Sequence, residues 1–208
     1  VRVVGVQAEG AASAAQSLEK GTIVERDAVE TIADGIATRS VGEQTFDVIQ
    51  NRVDEIVTVS DGEIAVAVPS LLERAKTLVE GAGAVPVAAL LSEAFDYEEG
   101  EVIVPVLSGG NIDLNDLTTV IMRGLVETGR YLRIRTVLKD RPGTLDELLD
   151  VLTENKANIY AIEHDRTSRK LAMDDAEVEL DLETRGPDHV TEVIAALEAA
   201  GYEVEVLA

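Results

Sequence analysis

Apolar and polar residues follow one rhythm up to about residue 130 and another after it. In the first part, short apolar runs alternate with longer stretches of helical spacing. Val3 to Val6 and Glu55-Ile-Val-Thr-Val59 read as buried strands. Ala11 to Leu18, Glu43 to Arg52 and a long stretch from Ser60 through about Val79 read as helices, followed by another from about Val85 to Phe95. Ser60-Asp-Gly-Glu63 has the spacing of a capping box, in which each of Ser60 and Glu63 accepts from the other's backbone N–H. Pro69 lacks the N–H a helix interior needs, so it predicts a kink or a division. Glu101-Val-Ile-Val-Pro-Val-Leu107 predicts one more buried strand, ending in Ser108-Gly-Gly-Asn111, with a helix from about Asp113. This alternation predicts a mainly parallel sheet with flanking helices, an α/β domain.

From about Tyr131 the rhythm changes. Leu132-Arg-Ile-Arg-Thr-Val-Leu138 alternates strictly, as a strand with one solvated face does. Asp140-Arg-Pro-Gly143 is a turn, and Leu145, Leu148, Leu149 and Leu152 then recur at helical spacing. Residues 157–162 predict a second strand, a third lies within 171–182, and Pro187 suits the first turn of a helix striped by Val190, Val193, Ile194 and Leu197. Tyr202, Val204 and Val206 predict a last strand. The order βαββαβ is that of a ferredoxin-like unit, one antiparallel sheet with two helices on one face. Its other face is left to be covered by a second copy or a small ligand. The boundary is expected near Gly129-Arg130, giving domains 1–130 and 131–208.

Composition narrows the chemistry. Cysteine is absent, which excludes disulfides, thiolate catalysis and cysteine-bound metals, and two histidines exclude a histidine-rich metal site. His164 and His189 are expected at the surface. Aromatics are only 3%, so the core must be built from Val, Ile, Leu and Ala. The net charge of −22 opposes nucleic acid and anionic membranes as partners, and its spread along the chain points to adaptation to high salt. No apolar run reaches the roughly 20 residues that span a bilayer, and a cytoplasmic location is expected. The chain opens on Val1, already inside a strand, so an earlier stretch of a longer protein is expected.

The sharpest chemical signal is Ser108-Gly109-Gly110 after an apolar run. Glycines let a backbone approach a ligand, and sheet ends present hydroxyls. An ordinary strand-to-helix turn has the same spacing. Four stretches, Val4-Gly-Val-Gln-Ala-Glu-Gly10, Glu30-Thr-Ile-Ala-Asp-Gly35, Asp54-Glu-Ile-Val-Thr-Val59 and Val106-Leu-Ser-Gly-Gly-Asn-Ile-Asp113, together resemble the carboxyl-terminal half of the fold-type II pyridoxal-phosphate enzymes, closest to the threonine ammonia-lyase (threonine dehydratase) family. Residues 131–208 resemble an ACT domain, through Asp140-Arg-Pro-Gly143 and Ala157-Asn-Ile159.

The resemblance implies pyridoxal 5'-phosphate as cofactor and deamination of threonine to 2-oxobutanoate and ammonia. Serine dehydration or racemisation on the same fold, or a freestanding amino-acid-binding regulator, are the alternatives. It places the Ser108 hydroxyl at the cofactor's ring nitrogen, with Gly109, Gly110, Gly35 and Glu80 beside the ring. It also implies a Schiff-base lysine and a glycine-rich phosphate loop. None of Lys20, Lys76, Lys139, Lys156 and Lys170 sits in the family's lysine motif, so the lysine is expected upstream and the chain alone inactive. Some relatives hold a divalent cation after the first strand. The matching positions here are Gln7 and Ser13, with Glu9 close by, and no metal is expected. In the ACT-like part, Asp140, Gly143 and Asn158 are the implied effector contacts, for a branched-chain amino acid between two copies. A silent dimerisation module fits the same residues. A homo-oligomer is expected.

Overall fold

The computed structural model describes residues 1–167 and 171–208. Lys170 lies outside the described residues. The chain divides into two compact units, Val1–Gly124 and Leu125–Ala208.

In the first unit, β1 (Val4–Ala8) pairs in parallel with β2 (Glu55–Val59), from Val4 opposite Glu55 to Ala8 opposite Val59. Around them stand α1 (Ser13–Lys20), α2 (Glu43–Arg52), α3 (Asp61–Ser70), α4 (Gly81–Leu91) and α5 (Leu114–Glu127), the last reaching past the end of the unit. The capping box forms as its spacing predicts. Glu63 N–H donates to Ser60 Oγ at 3.2 Å, and Ser60 N–H donates to Glu63 Oε2 at 2.6 Å. Pro69 sits in the last turn of α3, where the helix gives way to a π-helical turn, Leu71–Ala75. That turn stops at Lys76, which is left-handed, so the stretch to Val79 is not one helix. The loss of Pro69 N–H from the hydrogen-bond ladder accounts for the break. Gly124 of α5 lies against the Ala65 carbonyl of α3, where any added methyl would overlap it.

Two expectations fail here. Helix α4 begins at Gly81 rather than Val85, because the buried run Gly81-Ala-Gly-Ala84 packs closely and tertiary contact outweighs glycine's poor helix propensity. The run 101–107 forms no ladder. Val102, Val104 and Val106 are exposed while Ile103 and Pro105 are half-buried. The period of two is that of an extended segment with one face on the protein. A strand also needs a hydrogen-bonded neighbour, and apolar content alone does not supply one.

In the second unit, β3 (Tyr131–Lys139), β4 (Asn158–Asp165), β5 (Asp175–Glu183) and β6 (Glu205–Val206) form one sheet in the order β4-β5-β3-β6. The β3–β5, β3–β6 and β4–β5 pairs are all antiparallel. With α6 (Thr144–Glu154) and α7 (Pro187–Ala199) this is the ferredoxin-like order. Leu132, Ile134, Val178, Leu180 and Leu182 point to the buried side with Leu148, Leu152, Val193 and Leu197 of the helices. The opposite face is not an apolar surface waiting for cover. Arg133 pairs with Glu179 and Asp181, and Arg135 with Glu177, Glu179 and Glu205.

His164 is exposed, but His189 is buried. Its Nδ1 accepts from Arg185 N–H at 3.1 Å, and Nε2 stands 2.8 Å from the Asn155 carbonyl, joining the end of α6 to the start of α7. His189, Val193 and Leu197 share one stripe at i, i+4, i+8, which outweighs histidine's polar character.

Candidate functional site

The carboxyl ends of parallel strands are where α/β sheets place ligands. Beyond the end of β2, three backbone stretches of the first unit converge. The loop Thr31–Gly35 runs past the amino end of α4, and residues 108–111 approach that end too. Glu80, the residue before α4, donates its N–H to the Gly109 carbonyl at 3.3 Å. A methyl on Gly109 would overlap Glu80 Oε1, and one on Gly35 would sit 3.1 Å from the same oxygen. A methyl on Gly81 would come within 2.6 Å of the Ile32 carbonyl, and one on Gly83 within 2.7 Å of the Gly109 carbonyl. Gly109 has a φ of +155°, a conformation that side chains avoid. Gly81 and Gly83 are required by the packing of one backbone on another, while Gly35 and Gly109 make room for the Glu80 side chain.

The result is a cavity of about 270 Å³. Gly35, Glu80, Asn111, Asp113 and Asp116 are among its lining residues. Gly35, Glu80 and Gly109, far apart in sequence, are thus brought together. Gly110 and Ser108 follow on the same segment, and the Ser108 side chain is exposed rather than packed in the core. Gly35, Glu80 and Gly81 form one side of this cavity. Gly35 and Gly109 offer bare backbone to one carboxylate, and a hydroxyl stands next in the chain. Among the described residues no lysine lines the cavity.

At the positions that match a cation site in some relatives, Gln7 Oε1 accepts from Ala15 N–H at 2.9 Å and so caps the first turn of α1. Ser13 is fully buried, its hydroxyl directed to the Thr38 carbonyl at 3.3 Å. Glu9 is exposed. Among the described residues no group of three or more His, Cys, Asp or Glu side chains could hold a metal ion.

In the second unit the implied effector residues separate. Asp140 follows the end of β3 that faces Asp175 of β5, and its carboxylate pairs with Arg166 at 3.2 Å. Gly143 is left-handed and precedes α6. Asn158 faces Glu183 at the other end of β5 and donates to its carboxylate at 2.7 Å. At about 3.4 Å per residue the two ends of β5 lie roughly 27 Å apart. One copy therefore does not bring Asp140 and Gly143 to Asn158. Tyr131 and Glu179 of this sheet are shifted from their ordinary values. Burial pushes the Tyr131 hydroxyl up to about 12, helped by its hydrogen bond with Asp181. Hydrogen bonds from Arg135 and then Arg133 hold the Glu179 carboxyl below its usual range.

Sequence reasoning missed Asp61. Its Oδ1 accepts from Thr31 Oγ1 at 2.6 Å, and its Oδ2 from Ile32 N–H at 3.2 Å. The available signal was its place, two residues past the end of a buried parallel strand.

The pyridoxal-phosphate dependent enzyme family model matches residues 1–109, and an ACT domain model matches residues 129–202. An L-threonine ammonia-lyase of Geobacter sulfurreducens is 49% identical over 207 residues, covering all of this chain and 51% of that protein. The chain thus spans about half the length of that curated relative. The processed form of threonine deaminase isoform 2 from Solanum lycopersicum superposes with a TM-score of 0.54 at 32% identity, over 59% of this chain and 34% of that one. Maize serine racemase superposes at 0.53 with 33% identity, over 61% and 39%. With the family match covering half of its residues, the chain belongs to the pyridoxal-phosphate dependent enzymes and carries an ACT domain behind that portion.

Proposed function

We propose that this chain forms one wall of the active site of a threonine ammonia-lyase, which converts L-threonine to 2-oxobutanoate and ammonia. The meeting of Gly35 and Gly109 on the Glu80 carboxylate, at a cavity lined by Gly35 and Glu80, carries this reading. The 49% identity to a threonine ammonia-lyase supports it. Bound pyridoxal phosphate supplies an electron sink for breaking bonds at the substrate's α-carbon. The chain's own contribution is to hold and tune. Gly35 and Gly109 keep the wall free of side chains, and Gly110 continues it. Ser108 is the hydroxyl donor for the pyridine nitrogen. A neutral donor there leaves that nitrogen largely uncharged, which weakens the sink and suits a substrate whose hydroxyl leaves quickly. Glu80, held at the amino end of α4, places a carboxylate beside the ring, where the helix dipole favours negative charge.

The Schiff-base lysine belongs to the part of the relatives' length that this chain does not span. The 208 residues alone are therefore expected to show no Schiff-base absorbance with added cofactor. In the longer protein, Ser108→Ala should lower threonine turnover by about 10-fold or more, while cofactor retention changes little. Unchanged turnover would remove Ser108 from the site. Racemisation is the second reading, favoured by the likeness to maize serine racemase. D-serine formation exceeding 2-oxo acid formation would select it.

For the ACT unit we propose binding of an amino-acid effector, a branched-chain one first, between two copies. One copy supplies Asp140, Gly143 and the amino end of α6, and the other supplies Asn158. The separation of these residues within one copy supports a shared site. The net charge of −22 suits work at high salt, where screening removes self-repulsion.

A further inference from the structure

We infer that Asp61 is a positioning residue for the cofactor wall, acting through Thr31 on the loop that carries Gly35. The inference rests on the reading of that wall as the lyase site. Asp61 is the first residue of α3, where an acidic side chain ordinarily serves the helix dipole. Its carboxylate is instead turned to a loop thirty residues away in sequence. Both oxygens are engaged there, one by the Thr31 hydroxyl at 2.6 Å and the other by Ile32 N–H at 3.2 Å. The start of α3 does not need it, because Ser60 and Glu63 already close the capping box.

Thr31 carries the constraint further. While its hydroxyl donates to Asp61, its oxygen accepts from Ala33 N–H at 3.1 Å. Two consecutive residues are thus fixed by one carboxylate through charge-assisted bonds, which exceed neutral ones in strength, and the third is held through the Thr31 hydroxyl. Ala33 is fully buried, and the next residues form a short 3-10 turn, Asp34–Ile36, that delivers Gly35. Gly35 then faces Glu80 Oε1 and Ala82 Cβ at methyl-contact range, while the Ile32 carbonyl presses on Gly81. A shift of the loop would move Gly35 and displace Glu80, whose carboxylate also fills the space over Gly109. Geometry of this kind matters steeply, since misplacement by about 1 Å costs on the order of 100-fold in rate.

The test uses the full-length, cofactor-loaded enzyme with Asp61→Asn, Thr31→Val and Thr31→Ser. Thr31→Val keeps the shape and removes both hydrogen bonds, whereas Thr31→Ser keeps the hydroxyl. Turnover per bound cofactor should fall about 10-fold or more in Asp61→Asn and Thr31→Val, with KM for threonine changed less than about 2-fold. The visible circular dichroism per bound cofactor should change in the same two variants, and Thr31→Ser should restore both signals. A purely structural role would lower melting temperature and cofactor occupancy but leave these per-cofactor values at wild type. Wild-type values in Thr31→Val and Asp61→Asn would overturn the inference while the lyase assignment stood. A wild-type enzyme that bound cofactor but did not deaminate threonine would instead remove the lyase reading, and this inference with it.

Discussion

The two units bury their cores by opposite means. The first unit's core is largely alanine, with Ala8, Ala33, Ala65, Ala67, Ala84, Ala88 and Ala89 almost wholly excluded from solvent. Its backbones come close enough that added methyl groups at Gly81, Gly83 and Gly124 would strike main-chain atoms. The second unit instead interdigitates branched side chains, including Ile134, Leu148, Leu180, Leu182 and Leu197. Small residues bring main chain to main chain. Branched residues fill volume between a sheet and two helices, and they make a unit that depends on side-chain fit. The first core is therefore intolerant of gain and the second of loss.

Leu180→Ala, at a fully buried position of β5, should produce the largest effect. A loss of about 3 kcal/mol is expected in denaturant unfolding of the second unit. A cost below about 1 kcal/mol would mean that this core is loosely filled. The mirror experiment is Gly124→Ala in α5, which forces a methyl against the Ala65 carbonyl and the Pro69 ring. About 2 kcal/mol should be lost from the first unit, although the substitution raises helix propensity. A gain in stability would refute the close crossing of α3 and α5.

The smallest effect probes the charged face of the second sheet. Glu179 receives Arg133 Nη2 at 2.7 Å and Arg135 Nη2 at 2.6 Å. Its folded pKa is held below the usual value. The stabilisation is thus fully present above the ordinary carboxyl value of about 4.3 and is lost as pH falls through the lowered folded value. Glu179→Gln should cost about 1 kcal/mol at neutral pH and nothing in strong acid. A difference from wild type that did not shrink in acid would assign the effect to packing.

Legibility from sequence followed the same divide. In the second unit, strict alternation around Arg133 and Arg135 and the leucine stripe of α6 were enough to place β3, α6 and their buried faces, whereas the last strand, expected over Tyr202, Val204 and Val206, is only Glu205–Val206. In the first unit the local signals misled where backbone contact decides. The helix expected from about Val85 begins instead at Gly81, in a run where the Ile32 and Gly109 carbonyls lie against Gly81 and Gly83. Val102 to Val106 read as buried strand, yet they lack a ladder. At the site, Gly35, Glu80 and Gly109 were named by resemblance, and their meeting was not readable from spacing. Asp61 was hidden by its ordinary place at a helix start. His189 was hidden by its polarity, although its stripe with Val193 and Leu197 was visible.

Strand β4 has one further consequence. It lies at the edge of its sheet, exposes Ile159, Tyr160 and Ile162, and carries a register shift between Ile159 and Ala161. The extra residue is Tyr160, whose ring meets Tyr131 edge-on at 6.1 Å. An incoming foreign strand would lose its hydrogen-bond rhythm at that step and then meet the carboxylates of Glu163 and Asp165. The irregularity thus breaks the continuity that edge-to-edge strand addition needs.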